Sequence, residues 1–408
     1  MGTPEIFSPP FKRLVWSNLL AQAAEQIGLA TAPLLAVFLF NAGTSATAAL
    51  QTVQTLPFLL LAIPAGLMAD SSSRKAILAF AEALRAFSFG VILLLIALDS
   101  LTLATLALLG FIGATGTVAY NVTAPGLVPH LVPRPLLSLA NSRLELARSV
   151  AFTSGPSVAG LLFSSIGASF SYCIALIFSL SAVKLLRSLP SNSVTPRHGK
   201  LWAQLSAGMH FTLTSPLLRP VLVTAVIFNT SWFMLQAAFV PYAARHLGLS
   251  AFEVGVTMAS YGLGMIGGAV AAPWASKHIT FGSMIISGPV GALFGAIAIA
   301  CSIWYPSLAL ACLSFFLFGA GPILWTISTT TLRQAVTPPD LISRVSAVIM
   351  TLTYGARPIG ALIAAAIGSV YPPEYCILAA AVGFIAQLGI IVFSKVPKLA
   401  GIPEPLRS

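Results

Sequence analysis

A few charged and amide side chains lie inside long apolar stretches of this 408-residue chain, where ionisable groups are costly and usually functional. Glu25 lies 13 residues after Lys12, about 20 Å along a helix, and no basic residue follows or precedes it within one turn. Gln22 and Gln26 place amides on adjoining helix faces. A buried carboxylate in that setting can exchange a proton near neutral pH. We predict that Glu25 couples a proton or contacts a ligand; a hydrogen-bonded structural acid is the alternative.

Arg357 is the basic counterpart of Glu25, because it lies 13 residues after Arg344 and so at a similar helical depth. A guanidinium keeps its proton, so it needs an anion, polar atoms or water nearby. Two interpretations stay open. Arg357 contacts Glu25 or another acid, or it receives an anionic group of a bound molecule.

Two further acid–base pairs have i,i+3 spacing: Glu82 with Arg85, and Glu145 with Arg148. Residues at this spacing share a helix face and can neutralise each other. Both pairs fall within about three turns of predicted helix ends. We interpret them as paired charges that brace or gate the inner half of the molecule.

The elements that carry these residues are predicted to be transmembrane helices. Hydrophobic residues make up 57% of the chain and charged residues 8%, and the mean hydropathy is +0.93, which excludes a water-facing domain. Apolar runs of about 20 residues fit helices and not barrel strands. We predict an all-α membrane protein whose twelve spans cover 14–40, 46–67, 76–98, 101–124, 142–165, 168–187, 220–243, 252–274, 282–304, 307–329, 345–369 and 376–395.

The net charge of +11 follows from membrane topology and not from nucleic-acid binding. Lys and Arg concentrate in alternate loops, which predicts that these loops and both termini are cytoplasmic, and Arg245 alone falls on the other side. The four cysteines form no CxxC pair, and we find no metal-ligand spacing, catalytic constellation or phosphate-binding loop. We therefore expect no enzyme activity, no metal and no cofactor. The partners are expected to be the lipid bilayer and a small molecule.

A polar stretch after Leu189 separates the chain into halves of six spans. We predict an N-terminal half at 1–190, a cytoplasmic linker at 191–219 with a short amphipathic helix, and a C-terminal half at 220–408. Two such halves are a common transporter plan.

The segment Gly66-Leu-Met-Ala-Asp70-Ser-Ser-Ser-Arg74-Lys75 lies between the second and third spans. It resembles the loop signature of the major facilitator superfamily, with Met68 where that family favours Leu. The resemblance implies two six-helix halves that alternate access to a central cavity, with Gly66, Asp70 and Arg74 as a conformational latch. The equivalent segment of the second half, Trp274–Thr280, contains no acid.

The fifth span contains Gly155-Pro156-Ser-Val-Ala-Gly160, which resembles the antiporter helix motif seen mainly in exporters of that superfamily. Leu137–Asn141 and Arg357–Gly360 resemble the bacterial subgroup of enterobactin exporters and drug-efflux proteins. One departure is that the fourth span, Leu101–Pro125, lacks the arginine that many proton-coupled exporters carry there.

The resemblance implies that spans one, four, seven and ten line a substrate cavity, and the usual alternative for each side chain is helix packing. The polar and aromatic candidates on these spans are Gln22, Gln26, Tyr120, Asn121, Asn229, Trp232, Gln236 and Trp325. We expect a monomeric secondary transporter in a bacterial inner membrane that exports a small amphipathic drug or siderophore-like molecule in exchange for a proton. An importer on the same fold is the first alternative, and a membrane binding protein that transports nothing is the second.

Overall fold

The computed structural model describes residues 7–133, 136–190, 201–338 and 341–403, and all regular secondary structure in these ranges is helical. The fourteen α-helices of this part of the chain are α1 Pro9–Leu34, α2 Thr44–Leu60, α3 Ala62–Ser71, α4 Arg74–Ala97, α5 Leu103–Leu131, α6 Leu137–Ser165, α7 Ala168–Arg187, α8 Leu201–Thr214, α9 Leu218–Arg245, α10 Ala251–His278, α11 Phe281–Cys301, α12 Leu308–Val336, α13 Ile342–Gly368 and α14 Pro373–Val392. A π-helical turn, Leu35–Leu39, extends α1.

Ten helices of the described ranges are long and apolar enough to cross a membrane. The two other predicted spans correspond to α6 and to the pair α2–α3. Glycine, serine and charged side chains lower the hydropathy of α6. The predicted span 46–67 is broken because Pro64 has no N–H to bond the carbonyl of Leu60 and its ring would clash there. Accordingly α2 ends at Leu60 and α3 begins at Ala62.

The chain folds into two compact units. Unit 1 contains α1, α2 from Val53 onward, and α3 to α7. Within it α1 packs on α6 and α7, α4 packs on α5 and α7, and α3 packs on α5. An apolar core that includes Phe11, Leu78 and Leu186 fills the space between these helices.

Unit 2 contains Ala42–Thr52 and α8 to α14. Within it α9 packs on α13 and α14, α11 packs on α12 and α14, and α10 packs on α12. Small residues permit the closest of these approaches: a Cβ on Gly264 of α10 would collide with the carbonyl oxygen of Phe316 on α12. Glycine at this position of α10 therefore serves helix packing.

The predicted amphipathic linker helix is present as α8, and it belongs to unit 2. Gly208 of α8 lies against Arg344 at the start of α13, where an added Cβ would be 2.8 Å from backbone atoms. The helix therefore packs on α13, and a role on the membrane surface does not explain this contact. The rest of the predicted linker, residues 191–200, lies outside the described residues.

Candidate functional site

Three charged side chains meet in the interior of unit 1. Nη1 of Arg85 donates a hydrogen bond to Oε1 of Glu82 at 2.7 Å, and Nη2 of the same guanidinium lies 3.4 Å from Oε2 of Glu25. We call Glu25, Arg85 and Glu82 the charged triad. The triad joins α1 to α4. Glu25 and Glu82, which were considered separately in the sequence, share the guanidinium of Arg85.

Polar atoms from three helices, α1, α5 and α7, complete the triad. Arg85 also donates to the carbonyl oxygen of Ala21 at 2.9 Å and to Oγ1 of Thr117 on α5 at 2.8 Å. The hydroxyl of Ser179 on α7 donates to Oε2 of Glu82 at 3.1 Å. Sequence reasoning missed Thr117 and Ser179, because hydroxyls are common in apolar helices and nothing in their local sequence marks these two.

Burial and charge together determine what the triad can do. The side chains of Glu82 and Arg85 are 0% and 2% exposed, whereas that of Glu25 is 12% exposed. Two carboxylates and one guanidinium carry a net charge of −1, which is unfavourable away from water. One bound proton makes the group neutral. Glu25 is the member that retains access for a proton.

Glu25 has a basic partner that local spacing could not show. No basic residue lies within one turn of it, but Arg85, 60 positions along the chain, contacts it from another helix. Glu145 and Arg148 form the predicted i,i+3 pair, with Nη1 of Arg148 3.7 Å from Oε1 of Glu145. Their side chains are 65% and 42% exposed, respectively, so this pair is far more open than the triad.

The Gly-Pro motif of α6 lies directly beside the triad helix. A Cβ on Gly155 would be 2.5 Å from Cβ of Gln26 and 3.4 Å from the backbone of α1, so only glycine permits this approach. Gln22 and Gln26 are both buried, and Gly160 is buried further along α6. Pro156 lies inside the continuous helix α6. The motif therefore fixes α6 against the stretch of α1 that carries Glu25.

In unit 2, the guanidinium of Arg357 on α13 lies over two aromatic rings. Its Cζ is 4.0 Å from the ring centre of Tyr354 and 5.1 Å from that of Phe233 on α9. Aromatic faces stabilise a cation by about 0.5–2 kcal/mol without neutralising it. The two rings thus pack against a planar, permanently charged group.

Several predicted lining residues are packing residues instead. Trp232 is 6% exposed and lies within 4.7–5.5 Å, between ring centres, of Tyr261, Phe315 and Phe318. Tyr120 is 1% exposed and belongs to the apolar core of unit 1. Trp325 covers Gly288 of α11, where a Cβ would lie 2.5 Å from the Cβ of the tryptophan.

The remaining polar candidates are half-buried. Asn229 donates to the carbonyl oxygen of Ala225 one turn earlier, and Gln236 accepts a hydrogen bond from Gln51 at 3.3 Å. Asn121 is half-buried on α5. Among the residues that the structure describes, no three His, Cys, Asp or Glu side chains are grouped to hold a metal ion.

The predicted latch segment spans the end of α3 and the start of α4. Helix α3 continues through Gly66 to Ser71, and the chain leaves the helix at Ser72 in extended conformation. A Cβ at Gly66 would meet only Cγ1 of Val122, at 3.8 Å. Arg74 begins α4. The side chain of Asp70 lies outside the described residues.

The fold has solved relatives. A bacterial homologue of the iron transporter ferroportin, in its inward-facing state, superposes with a TM-score of 0.71 at 17% identity, over 94% of this chain and 98% of that one. At 17% identity this likeness shows that the two proteins share a fold.

Sequence comparison identifies the family and, through it, a multi-pass membrane transporter that is not an enzyme. The family model described as transmembrane secretion effector matches residues 10–404, and the chain belongs to that family. The multidrug efflux pump Tap of Mycolicibacterium fortuitum is 24% identical over 372 residues, covering 87% of this chain and 88% of Tap. The enterobactin exporter EntS of Escherichia coli O1:K1 is 25% identical over 342 residues, covering 80% of this chain and 77% of EntS. The predicted superfamily and exporter subgroup are thereby confirmed.

Proposed function

We propose that this transporter exports a small amphipathic molecule in exchange for a proton. The observation that carries the proposal is the charged triad. Its two buried carboxylates share one guanidinium, so the group reaches neutrality by binding one proton. Both carboxylate oxygens of Glu82 accept hydrogen bonds, one from Arg85 at 2.7 Å and one from Ser179 at 3.1 Å. Glu25 accepts from Arg85 over the longer distance of 3.4 Å. Glu25 is therefore the site that exchanges the proton.

The triad offers a route to coupling that does not need an arginine in the fourth span. In this chain the guanidinium comes from α4, and α5 contributes the hydroxyl of Thr117. When Glu25 is protonated, Arg85 keeps its hydrogen bonds to Glu82, Thr117 and the carbonyl oxygen of Ala21 but loses the charge of Glu25. When Glu25 is ionised, the same guanidinium stabilises both carboxylates. Protonation thus changes the attraction between α1 and α4.

Export is the direction that the relatives support. Tap is named an efflux pump and EntS an exporter. The Gly155-Pro156 motif, which resembles the antiporter motif of exporters, packs against Gln26 next to the proton site. We assign the latch role to Gly66, Asp70 and Arg74, and alternating access to movement of the two helical units. We further propose that the protein works as a monomer in a bacterial inner membrane, with both termini cytoplasmic.

Arg357 is proposed to select the substrate. Its guanidinium is presented on the faces of Tyr354 and Phe233, which suits a molecule that combines an acidic group with an apolar or aromatic body. Gln22, Gln26, Asn121, Asn229 and Gln236 remain candidates for polar contacts with that molecule.

Accumulation of a panel of dyes, antibiotics and siderophores in expressing cells tests this function. We expect the protein to lower accumulation of at least one acidic amphipathic compound, and a protonophore to restore it. The Glu25→Gln variant should abolish the protonophore-sensitive part at unchanged membrane level, whereas Glu145→Gln, at an exposed acid, should not. Raised accumulation would make the importer the correct assignment. Intact gradient-driven export in Glu25→Gln would remove Glu25 as the coupling site.

A further inference from the structure

A second acid–base site lies in unit 2, at the end of α9. Nδ1 of His246 is 2.6 Å from Oε1 of Glu374, in the first turn of α14. Nε2 of the same ring is 3.0 Å from the carbonyl oxygen of Ile303, just after α11. One imidazole thus connects the ends of three helices.

The hydrogen-bond partners determine how many protons this site holds. A carbonyl oxygen and a carboxylate are both acceptors, so both ring nitrogens must donate or the carboxyl group must carry a proton. Neutral imidazole has only one N–H. The geometry therefore requires one proton more than a neutral histidine and an ionised glutamate possess. We propose that His246 and Glu374 form a proton-binding site of unit 2, separate from the charged triad.

The neighbours favour the proton on the ring. Glu374 lies at the N-terminus of α14, where the helix dipole favours a carboxylate. The hydroxyl of Ser302 donates to the carbonyl oxygen of Ile299, so Tyr242 donates to Ser302 and not to Glu374. Oε2 of Glu374 is buried and accepts no hydrogen bond from the described part of the chain. The imidazolium is thus the donor that compensates this carboxylate.

Two charged neighbours of the pair make hydrogen bonds of their own. Arg245, the next residue, donates to the carbonyl oxygen of Ala42, and Glu253 accepts from the backbone N–H and hydroxyl of Ser250. The ring of Tyr242 stacks on the imidazole with centres 5.1 Å apart. Other titratable groups close in sequence to the three contact points are Cys301, Tyr305, Tyr371, Tyr375 and Cys376.

The site has a structural consequence for unit 2. With the proton bound, the imidazolium bonds α9 to both α11 and α14. Without it, one of the two bonds is lost, and the ring nitrogen faces an acceptor. The lysine and arginine distribution predicts that this end of α9 is extracytoplasmic. The site would therefore face the outside of the cell, whatever compound the protein transports.

Solid-state NMR of ¹⁵N-histidine-labelled protein in lipid bilayers at pH 7.5 tests the proposal directly. A histidine in water is then about nine-tenths neutral. We expect one doubly protonated imidazolium signal that disappears in His246→Gln, which assigns it. In Glu374→Gln the new amide can donate to Nδ1, so the His246 signal should become that of a singly protonated ring. The exposed control Glu253→Gln should leave it unchanged.

A singly protonated His246 beside an ionised Glu374, read from the ¹³C shift of the carboxyl group in the unaltered protein, would overturn the proposal. So would an imidazolium signal that persists in a folded Glu374→Gln variant. If that variant does not fold, the signal assigned through His246→Gln still decides the question. Because the experiment needs no substrate and no gradient, its result is independent of whether Glu25 couples transport to protons.

Discussion

The two units are built on the same pattern of helix packing but contain opposite chemistry. In unit 1, α1 packs on α6 and α7 and α4 packs on α5 and α7. In unit 2, α9 packs on α13 and α14 and α11 packs on α12 and α14 in the same order along the chain. The interior of unit 1 contains the charged triad, and α4 supplies two of its members. Its counterpart α11, Phe281–Cys301, contains no charged residue at all.

The interior of unit 2 is aromatic instead. Trp232 on α9 contacts rings from α10 and α12, and the cation Arg357 is carried by α13 on the faces of two more rings. The shared packing therefore does not require charge, so the triad is not needed to build the fold. A buried triad of charges between helices, which the equivalent helices of unit 2 do not form, is best explained by function.

Replacing Arg85 is expected to have the largest effect. Arg85→Met leaves two carboxylates without a partner, and removing one partner of a buried ion pair costs about 3–5 kcal/mol. Thermal unfolding in detergent should show a clear loss of stability, and Glu82→Gln in the same protein should recover much of it. A melting temperature of Arg85→Met equal to that of the unaltered protein would show that the triad is not formed as described.

A comparable substitution in unit 2 should lower the stability of the protein for a different reason. Trp232→Ala opens a cavity among Tyr261, Phe315 and Phe318, and such truncations cost about 3 kcal/mol or more. Because no charge is involved, the loss should be the same at pH 6 and pH 8, measured by thermal unfolding. Trp274→Ala, at a tryptophan that is 61% exposed, is the matched control. A strongly pH-dependent loss would break the contrast between the units.

Arg357→Lys should change transport more than stability. Lysine keeps the charge but loses the planar stack on Tyr354 and Phe233, a difference of about 0.5–1 kcal/mol. We expect a roughly 2–5-fold higher KM for an acidic substrate, which follows from that energy at 25 °C, and little change for a neutral one. Equal KM values for both compounds would remove Arg357 from the substrate site.

The exposed pair should respond least. Glu145→Gln breaks an ion pair whose side chains are mostly solvent-exposed, and such pairs contribute under about 1 kcal/mol. Its melting temperature should therefore stay close to that of the unaltered protein, in contrast to Arg85→Met. A large drop would mean that Glu145 has a buried partner under the measurement conditions.

The sequence predicted the helical class and the family well, because span length, hydropathy and the latch motif are local signals. It also singled out Glu25, Glu82 and Arg85 as unusual. It could not join them, since Glu25 and Arg85 lie on different helices and spacing reports only neighbours on one helix. The break at Leu60 was missed although Pro64 was visible, because the apolar run continues across it.

Burial of aromatic side chains was equally hard to predict. Tyr120 and Trp232 have the composition of cavity-lining residues, and only tertiary packing shows that they belong to the core. His246 and Glu374 are 128 positions apart and carried no motif, so the second proton site became visible only through its geometry.

Proton release on substrate binding tests the central claim most directly. The purified protein, in weakly buffered detergent solution near pH 7 with a pH indicator, is mixed with the compound found by the accumulation assay. The account predicts release of up to one proton per bound substrate, and no release from Glu25→Gln that still binds it. The same proton release from Glu25→Gln, or substrate binding without any release from the unaltered protein, would contradict proton exchange at the charged triad.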